Sequence, residues 1–313
     1  MKRALLIAAA LVLAGCSPSV TAKPTPVPTP VPPVVTIVYS GISTADSFSI
    51  RVREAAAIEA KAKGARFLDV TAATADSGAQ LASVKGALAA IKKPAALIIA
   101  PVDAKVFADA IADAKAAGIP VLTVGTEIGD PYVSELVDTD DTAAGTLIGQ
   151  AMCKFSGGKG TALVMGGAVG DSAGDARQVA AAAAVKACKM TDFVQPGDTD
   201  AAKEVAIATS AMKDKVDLVA IFVPHGDGAA AVAKMVGDTG RSRYIAVYGF
   251  DADPAEIAAI LGGMETGSVR QDGFVMARTA VDNAMTVIAG GTVPKTVMVP
   301  PLLVDQSTAS LFR

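Results

Sequence analysis

From Val34 onward, short β-branched runs alternate with Ala-, Lys- and Glu-rich stretches of helical length, and this alternation constrains the fold more than any other feature. The apolar runs are Val34–Val38, Arg66–Val70, Ala96–Ile99, Pro120–Val124, Thr161–Val164, Val216–Phe222 and Tyr244–Tyr248. Between and beyond them lie candidate helices at Ile50–Lys63, Ser77–Ile91, Ala104–Ala117, Thr142–Cys153, Gly174–Cys188, Ala201–Met212, Gly228–Val236 and Phe274–Ile288. Continuous apolar strands separated by helices specify an α/β protein with parallel sheets covered on both faces. The 280 residues from Val34 to Arg313 suffice for two doubly wound lobes, with about four strand–helix units on each side of Asp138. Gly64, Gly118 and Gly240 fall where helices should end. Ala-dominated helices such as Val179–Val185 suit close helix-to-sheet packing.

Ahead of this region the chain reads as an export signal. Lys2 and Arg3 precede an unbroken apolar run of eleven residues, Ala4 to Ala14. That run is too short to span a bilayer and suits a signal-peptide core. Leu13-Ala14-Gly15-Cys16 resembles the bacterial lipobox, which implies cleavage after residue 15 and a lipid on Cys16. Ser17–Pro33 carries seven prolines in seventeen residues. Such a segment extends as a polyproline-type spacer, at about 3.1 Å per residue roughly 50 Å long. The expected location is the cell envelope, with the folded part held to a membrane by its anchor.

Composition narrows the function. Without Lys2 and Arg3 the formal charge moves from −3 to −5, and no strong Lys/Arg cluster exists, so nucleic acid is an unsuitable partner. One histidine, His225, excludes a His-rich metal site, and no cofactor motif is present. Gly166-Gly167-Ala168-Val169-Gly170 follows a strand but lacks the spacing of a dinucleotide loop. No nucleophile elbow or placed catalytic pair points to an enzyme. Cys153 and Cys188 are an even pair outside the cytoplasm, compatible with a disulfide or with two buried thiols.

In doubly wound lobes ligands bind beyond the carboxyl ends of the strands. The segments in that position are Tyr39–Phe48, Gly125–Asp130, Gly166–Arg177, Pro224–Asp227, Gly249–Asp253 and Arg270–Asp272. They hold much of the polar and glycine-rich irregular sequence.

Several motifs in order resemble the type I periplasmic sugar-binding proteins, the ribose- and galactose-binding group serving ABC importers. They are Val38-Tyr39-Ser40 with Phe48, Leu97-Ile98-Ile99-Ala100-Pro101-Val102-Asp103, Gly118-Ile119-Pro120-Val121-Leu122-Thr123, Asp138-Thr139-Asp140 and Gly249-Phe250-Asp251. The resemblance spans Val34 to about Gln306. It implies two α/β lobes joined by three crossings, near Asp138, Arg270 and Pro300. The lobes would then be 34–138 with 271–300, and 139–270 with 301–313. It also implies a monomer that captures a sugar, polyol or nucleoside-like molecule by cleft closure and delivers it to a permease. A sensor lipoprotein presenting its ligand to a membrane receptor would use the same fold.

Carried over position by position, the resemblance places Asp46 and Phe48 in the first loop at the ligand. Thr126 and Glu127 follow the strand where ribose-type proteins carry an Asp-Arg pair. That departure, with no Trp and 4% aromatic residues, disfavours ribose itself. Arg177 is the family arginine, with Asp171 and Asp175 nearby. His225 stands where the family has Asn. Asp251 matches the carboxylate that accepts hydroxyl hydrogen bonds, and Arg270 or Gln271 matches the amide of the last crossing. Bland readings compete: Asp251 as the cap of a helix near Pro254, Arg177 as a solvated helix residue, His225 in a neutral structural role, Phe48 as core and Asp46 as a turn residue.

Overall fold

The computed structural model describes residues 33–167, 171–197 and 200–312. The leader, Cys16 and nearly all of the proline-rich segment lie outside the described residues.

The first half of the chain builds β1 (Thr36–Ser40), α1 (Ser47–Ala62), β2 (Arg66–Asp69), α2 (Ser77–Ala90), β3 (Ala95–Ile99), a 3-10 turn (Ala104–Phe107), α3 (Ala108–Ala117), β4 (Val121–Val124) and β5 (Val133–Thr139). The second half builds α4 (Asp141–Ser156), β6 (Thr161–Met165), α5 (Ser172–Ala187), β7 (Thr191–Gln195), α6 (Ala201–Asp214), β8 (Leu218–Phe222), α7 (Gly226–Asp238), β9 (Ala246–Phe250), α8 (Pro254–Leu261) and β10 (Gly267–Arg270). The chain then returns through α9 (Gly273–Ile288) and β11 (Thr296–Val299) and ends with β12 (Leu302–Asp305) and a second 3-10 turn.

These strands form two six-stranded sheets, ordered β11-β5-β4-β3-β1-β2 and β12-β10-β9-β8-β6-β7. Every pairing is parallel except that of β12 with β10. The two-sheet α/β architecture expected from the alternation is therefore present. Each sheet is buried on both faces by separate apolar clusters, around Ile37 and Leu122 or Val38 and Leu97 in one, and Val164 and Phe222 or Leu163 and Val247 in the other. The chain passes between the sheets at 139–141, at 270–273 and at 299–302.

The elements depart from the sequence reading where burial is partial. Strand β7, Thr-Asp-Phe-Val-Gln, lies at a sheet edge with no fully buried position, so it carries no apolar run. Val216 and Tyr244, expected to open strands, are exposed in turns closed by the Leu218 and Tyr244 amides on the Lys215 and Arg241 carbonyls. The 104–117 helix begins as a 3-10 turn capped by Asp103. Gly118 does end α3, in the left-handed conformation that a helix C-cap favours.

The small residues of α5 serve helix-to-helix packing as well as the sheet. A Cβ on Gly145 would strike the Arg177 carbonyl oxygen, and one on Gly149 would lie 2.6 Å from both the Ala181 carbonyl oxygen and the Ala184 Cβ. The two helices are also joined near their C-terminal ends by a Cys153–Cys188 disulfide. Gly149→Ala is accordingly expected to destabilise the protein by about 1–3 kcal/mol through overpacking. Gly86→Ala, in α2 with open space around it, should gain up to about 1 kcal/mol. Urea unfolding of both variants checks this; equal stability of Gly149→Ala and wild type would contradict the packing.

Candidate functional site

Aspartate begins helix after helix. Asp46, Asp76, Asp140, Asp171, Asp200, Asp253 and Asp272 each accept a backbone N–H in the first turn of α1, α2, α4, α5, α6, α8 and α9. The side-chain oxygen satisfies a donor that the helix cannot, and the carboxylate opposes the positive helix end. Since most of these helices follow parallel strands, the caps also collect carboxylates at the strands' carboxyl ends.

At the crossings, three of the expected residues and several others meet. Arg177 is 8% exposed. Its Nε donates to Asp141 Oδ1 at 2.7 Å and its Nη1 to the Pro224 carbonyl at 3.3 Å. The guanidinium carbon sits 3.4 Å from the Phe250 ring centroid, a cation–π contact strengthened by desolvation. Three of the five guanidinium N–H groups remain uncommitted. On the adjoining turn, Asp251 Oδ1 accepts from Gln271 Nε2 at 2.8 Å, and Gln271 Oε1 accepts from Thr139 Oγ1 at 3.0 Å. This relay ties the first crossing to the second and leaves Asp251 Oδ2 as a free acceptor.

The Asp251 turn is strained. Asp251 and Ala252 have φ of 94° and 48°, a region that costs non-glycine residues energy and persists where surroundings enforce it. Here the Asp251 amide donates to the Val269 carbonyl at 2.7 Å, and the Ala252 amide to Ser268 Oγ at 3.0 Å. From the other sheet's α1, Arg51 Nη2 donates to the Asp251 carbonyl at 3.4 Å. The cap of α8 is Asp253, in a capping box with Glu256, so Asp251 is not engaged as a helix cap.

Charge at this site is tuned by burial. Asp138 is pushed up to about 7, chiefly by burial, with Asp141 raising it further while the Thr139 amide and Arg177 oppose. Asp141 is also raised, because burial outweighs Arg177. His225 lies 3.2 Å from Asp171 Oδ2 through Nε2 and 3.3 Å from Glu204 Oε1 through Nδ1. Burial alone would lower the imidazole, but hydrogen bonds and charge from Asp171 and Glu204 raise it to about 9. The bond to His225 in turn holds Asp171 at about 2. Both ring nitrogens are thus committed to carboxylates, in a partly exposed ion triad that joins α5, α6 and α7 and of which only Glu204 is fully buried.

The remaining expected residues lie elsewhere or act locally. Asp46 caps α1, its Oδ1 accepting from the Ser49 amide at 2.6 Å. Phe48 is buried among Tyr39, Val52, Val124 and Met276, with its ring edge against Gly125 and Gly273. Thr126 is exposed, and Glu127 borders a groove with Asp130, Glu135 and Lys295 beside β4, β5 and β11. Arg270 stacks on Phe312 at 4.7 Å and shares a cavity of about 420 Å³ with Arg51. Asp138, Thr139, Asp141 and Glu204 were not singled out as site residues from sequence; only the Asp138-Thr139-Asp140 motif marked the crossing. Among the described residues no group of three or more His, Cys, Asp or Glu is arranged for a metal ion. No described helix is long and apolar enough to cross a membrane.

Two α/β lobes with a polar constellation at their crossings define a two-lobe solute receptor. The family model described as periplasmic binding protein domain matches residues 37–292, and the chain belongs to that family. It is 24% identical over 259 residues to the ribose import binding protein RbsB of Bacillus subtilis (strain 168), covering 83% of each chain. It is 28% identical over 202 residues to the xylitol-binding protein of Mycolicibacterium smegmatis, covering 62% of this chain and 56% of that relative. Among solved structures, AraP, an arabinose binding protein from Geobacillus stearothermophilus, superposes with a TM-score of 0.84 at 17% identity, over 90% of this chain and all of the other.

The His225 triad makes a testable statement about pH. A histidine raised in the folded state contributes stability fully below its unfolded value, near 6.5, and loses it as pH rises through the folded value. The imidazole C–H resonances of His225 should therefore titrate with a midpoint near 9, and Asp171→Asn should move it down. A wild-type midpoint at 6.5 would contradict the triad.

Proposed function

We propose that this chain is the solute-binding component of an ABC importer and captures a sugar or sugar-like molecule by closing two lobes over it. The observation that carries the reading is the meeting of Arg177, Asp251 and Gln271 at the crossings, each with spare hydrogen-bonding capacity and each fixed by neighbours. A polyhydroxy ligand needs such a set. Carboxylate oxygens accept from hydroxyls, and guanidinium and carboxamide N–H groups donate. The ribose-, xylitol- and arabinose-binding names among its relatives and structural neighbours support the same class. His225, locked between two carboxylates, sets charge and shape at the strands' carboxyl ends rather than donating to ligand directly.

The moving bodies in this reading are residues 34–138 with 271–300, and 139–270 with 301–313. A ligand bonded to both shifts the hinge equilibrium toward closure, and docking on a permease releases it. The protein acts as a monomer and does no covalent chemistry, as suits a family of solute-binding proteins. Removal of the leader, a lipid on Cys16 and the proline-rich spacer would hold the lobes outside the cytoplasm beside the membrane.

A thermal-shift screen of the mature protein against ribose, D-allose, L-arabinose, xylitol and nucleosides tests the reading. One chemical class should raise the melting temperature, since ligand at a hundredfold excess over Kd adds about 2.7 kcal/mol. Asp251→Asn should weaken binding of that compound by about tenfold or more, as loss of a charged hydrogen bond costs about 1.5–3 kcal/mol. No shift with any compound, or undiminished binding by Asp251→Asn, would contradict it.

A further inference from the structure

Behind the strained Asp251–Ala252 turn, two glutamates are buried against each other. Glu256, in the first turn of α8, is fully buried, and Glu265, just before β10, is 3% exposed. Glu256 Oε2 accepts from the Asp253 amide at 2.9 Å. Glu256 Oε1 and both Glu265 oxygens are sealed from solvent and receive no hydrogen bond from any donor N–H or O–H group. Yet Glu265 is within hydrogen-bonding reach of Glu256. The absent side chain of Gly249 makes room for both: a Cβ there would strike Glu256 Oε1 and lie 2.9 Å from Glu265 Oε1.

Two ionised carboxylates cannot occupy such a site. Like charges out of water repel, and each unpaired charge carries its full desolvation cost. The charged groups facing the pair are Asp253 and Asp251, which are also acids. The other walls, Gly226 and Ala229 of α7, Gly249 of β9 and Ser268 of β10, are uncharged. His225, next to Gly226, is turned to Asp171 and Glu204. No metal-holding group exists among the described residues. A proton is the remaining species that converts carboxyl–carboxyl contact into a hydrogen bond.

We propose that Glu256 and Glu265 form a proton-binding site, one carboxyl donating to the other, and that this proton holds the Asp251–Ala252 turn in shape. The link to the turn is short. Ser268 lies beside Glu256, and its Oγ accepts the Ala252 amide. The same Glu256 completes the capping box with Asp253 that starts α8. Loss of the proton places a second charge in the pocket, and the segment that relieves it by moving is the one carrying Asp251. The consequence for ligand rests on the proposed solute-binding role; the proton site does not.

Burial and mutual repulsion raise both carboxyls well above the ordinary value. For a group raised on folding, the folded state binds more protons, so stability falls as pH climbs from the unfolded value through the folded one. Thermal unfolding of the ligand-free protein from pH 5 to pH 9 reads this. Glu265→Gln keeps the shape and supplies a permanent N–H donor to Glu256. It should match wild type near pH 5 and melt higher than wild type at pH 9, by about 3 °C or more. The His225 contribution is common to both proteins and cancels in the difference. If Glu265→Gln does not fold, Glu256→Gln carries the same comparison. On wild type, the assigned carboxyl carbon resonances of Glu256 and Glu265 should show a protonated acid at pH 7. Parallel melting curves for wild type and the glutamine variants, or two ionised carboxyls at pH 7, would overturn the proposal. So would calcium chloride raising the wild-type melting temperature at pH 9 but not that of Glu265→Gln, since a cation would then be the occupant. A failed sugar screen leaves this test intact.

Discussion

The constraint on which the rest of the structure depends is that strands β1 to β11 run parallel within their sheets. Parallel neighbours require a crossover, so nearly every strand delivers its carboxyl end to a loop that leads into the amino end of a helix. Those helix ends demand hydrogen-bond acceptors, and the sequence answers with aspartates. Three crossings between the sheets then set the carboxyl ends of β5, β9 and β10 against one another. The relay from Thr139 through Gln271 to Asp251, and the reach of Arg51 across to the Asp251 carbonyl, are products of that topology.

So many acids in one place must be neutralised or protonated, and the chain uses three distinct means. Arg177 takes Asp141 and is itself covered by Phe250. His225 becomes a cation between Asp171 and Glu204. Asp138 and the Glu256–Glu265 pair have no cation bonded to them, and burial drives them toward the neutral acid. The first two means fix donors and charge at the strands' carboxyl ends. The third leaves carboxyls buried without a bonded cation.

Much of the fold was legible in the sequence because most central strands are largely apolar, as in Ala-Ala-Leu-Ile-Ile of β3; β5 and β10, which mix in polar residues, were not read. Nor were the edge strands of the second sheet, although edge strand β2 of the first was. β7 and β12 are partly exposed, so their side chains carry no continuous apolar signal. Arg177, Asp251 and Gln271 were singled out by the family resemblance, with Arg270 as the alternative to Gln271, and the fold sets these three beside the crossings. Their partners Asp141 and Thr139 were not, since nothing in a linear pattern distinguishes an aspartate that pairs across thirty-six positions from one that caps a helix. Asp46 shows how one position can be read two ways: its place in the first loop suggested ligand, and its Oδ1 accepts from the Ser49 amide as a helix cap. The Glu256–Glu265 pair was invisible for the same reason, since a glutamate in the first turn of α8 reads as capping chemistry.

The central claim is that ligand joins two bodies that otherwise move about the crossings. Small-angle X-ray scattering of the mature protein, free and saturated with the compound that raises its melting temperature, measures this directly. The account predicts a smaller radius of gyration when saturated, reversed when the compound is dialysed away. A saturated protein with an unchanged radius of gyration would contradict it.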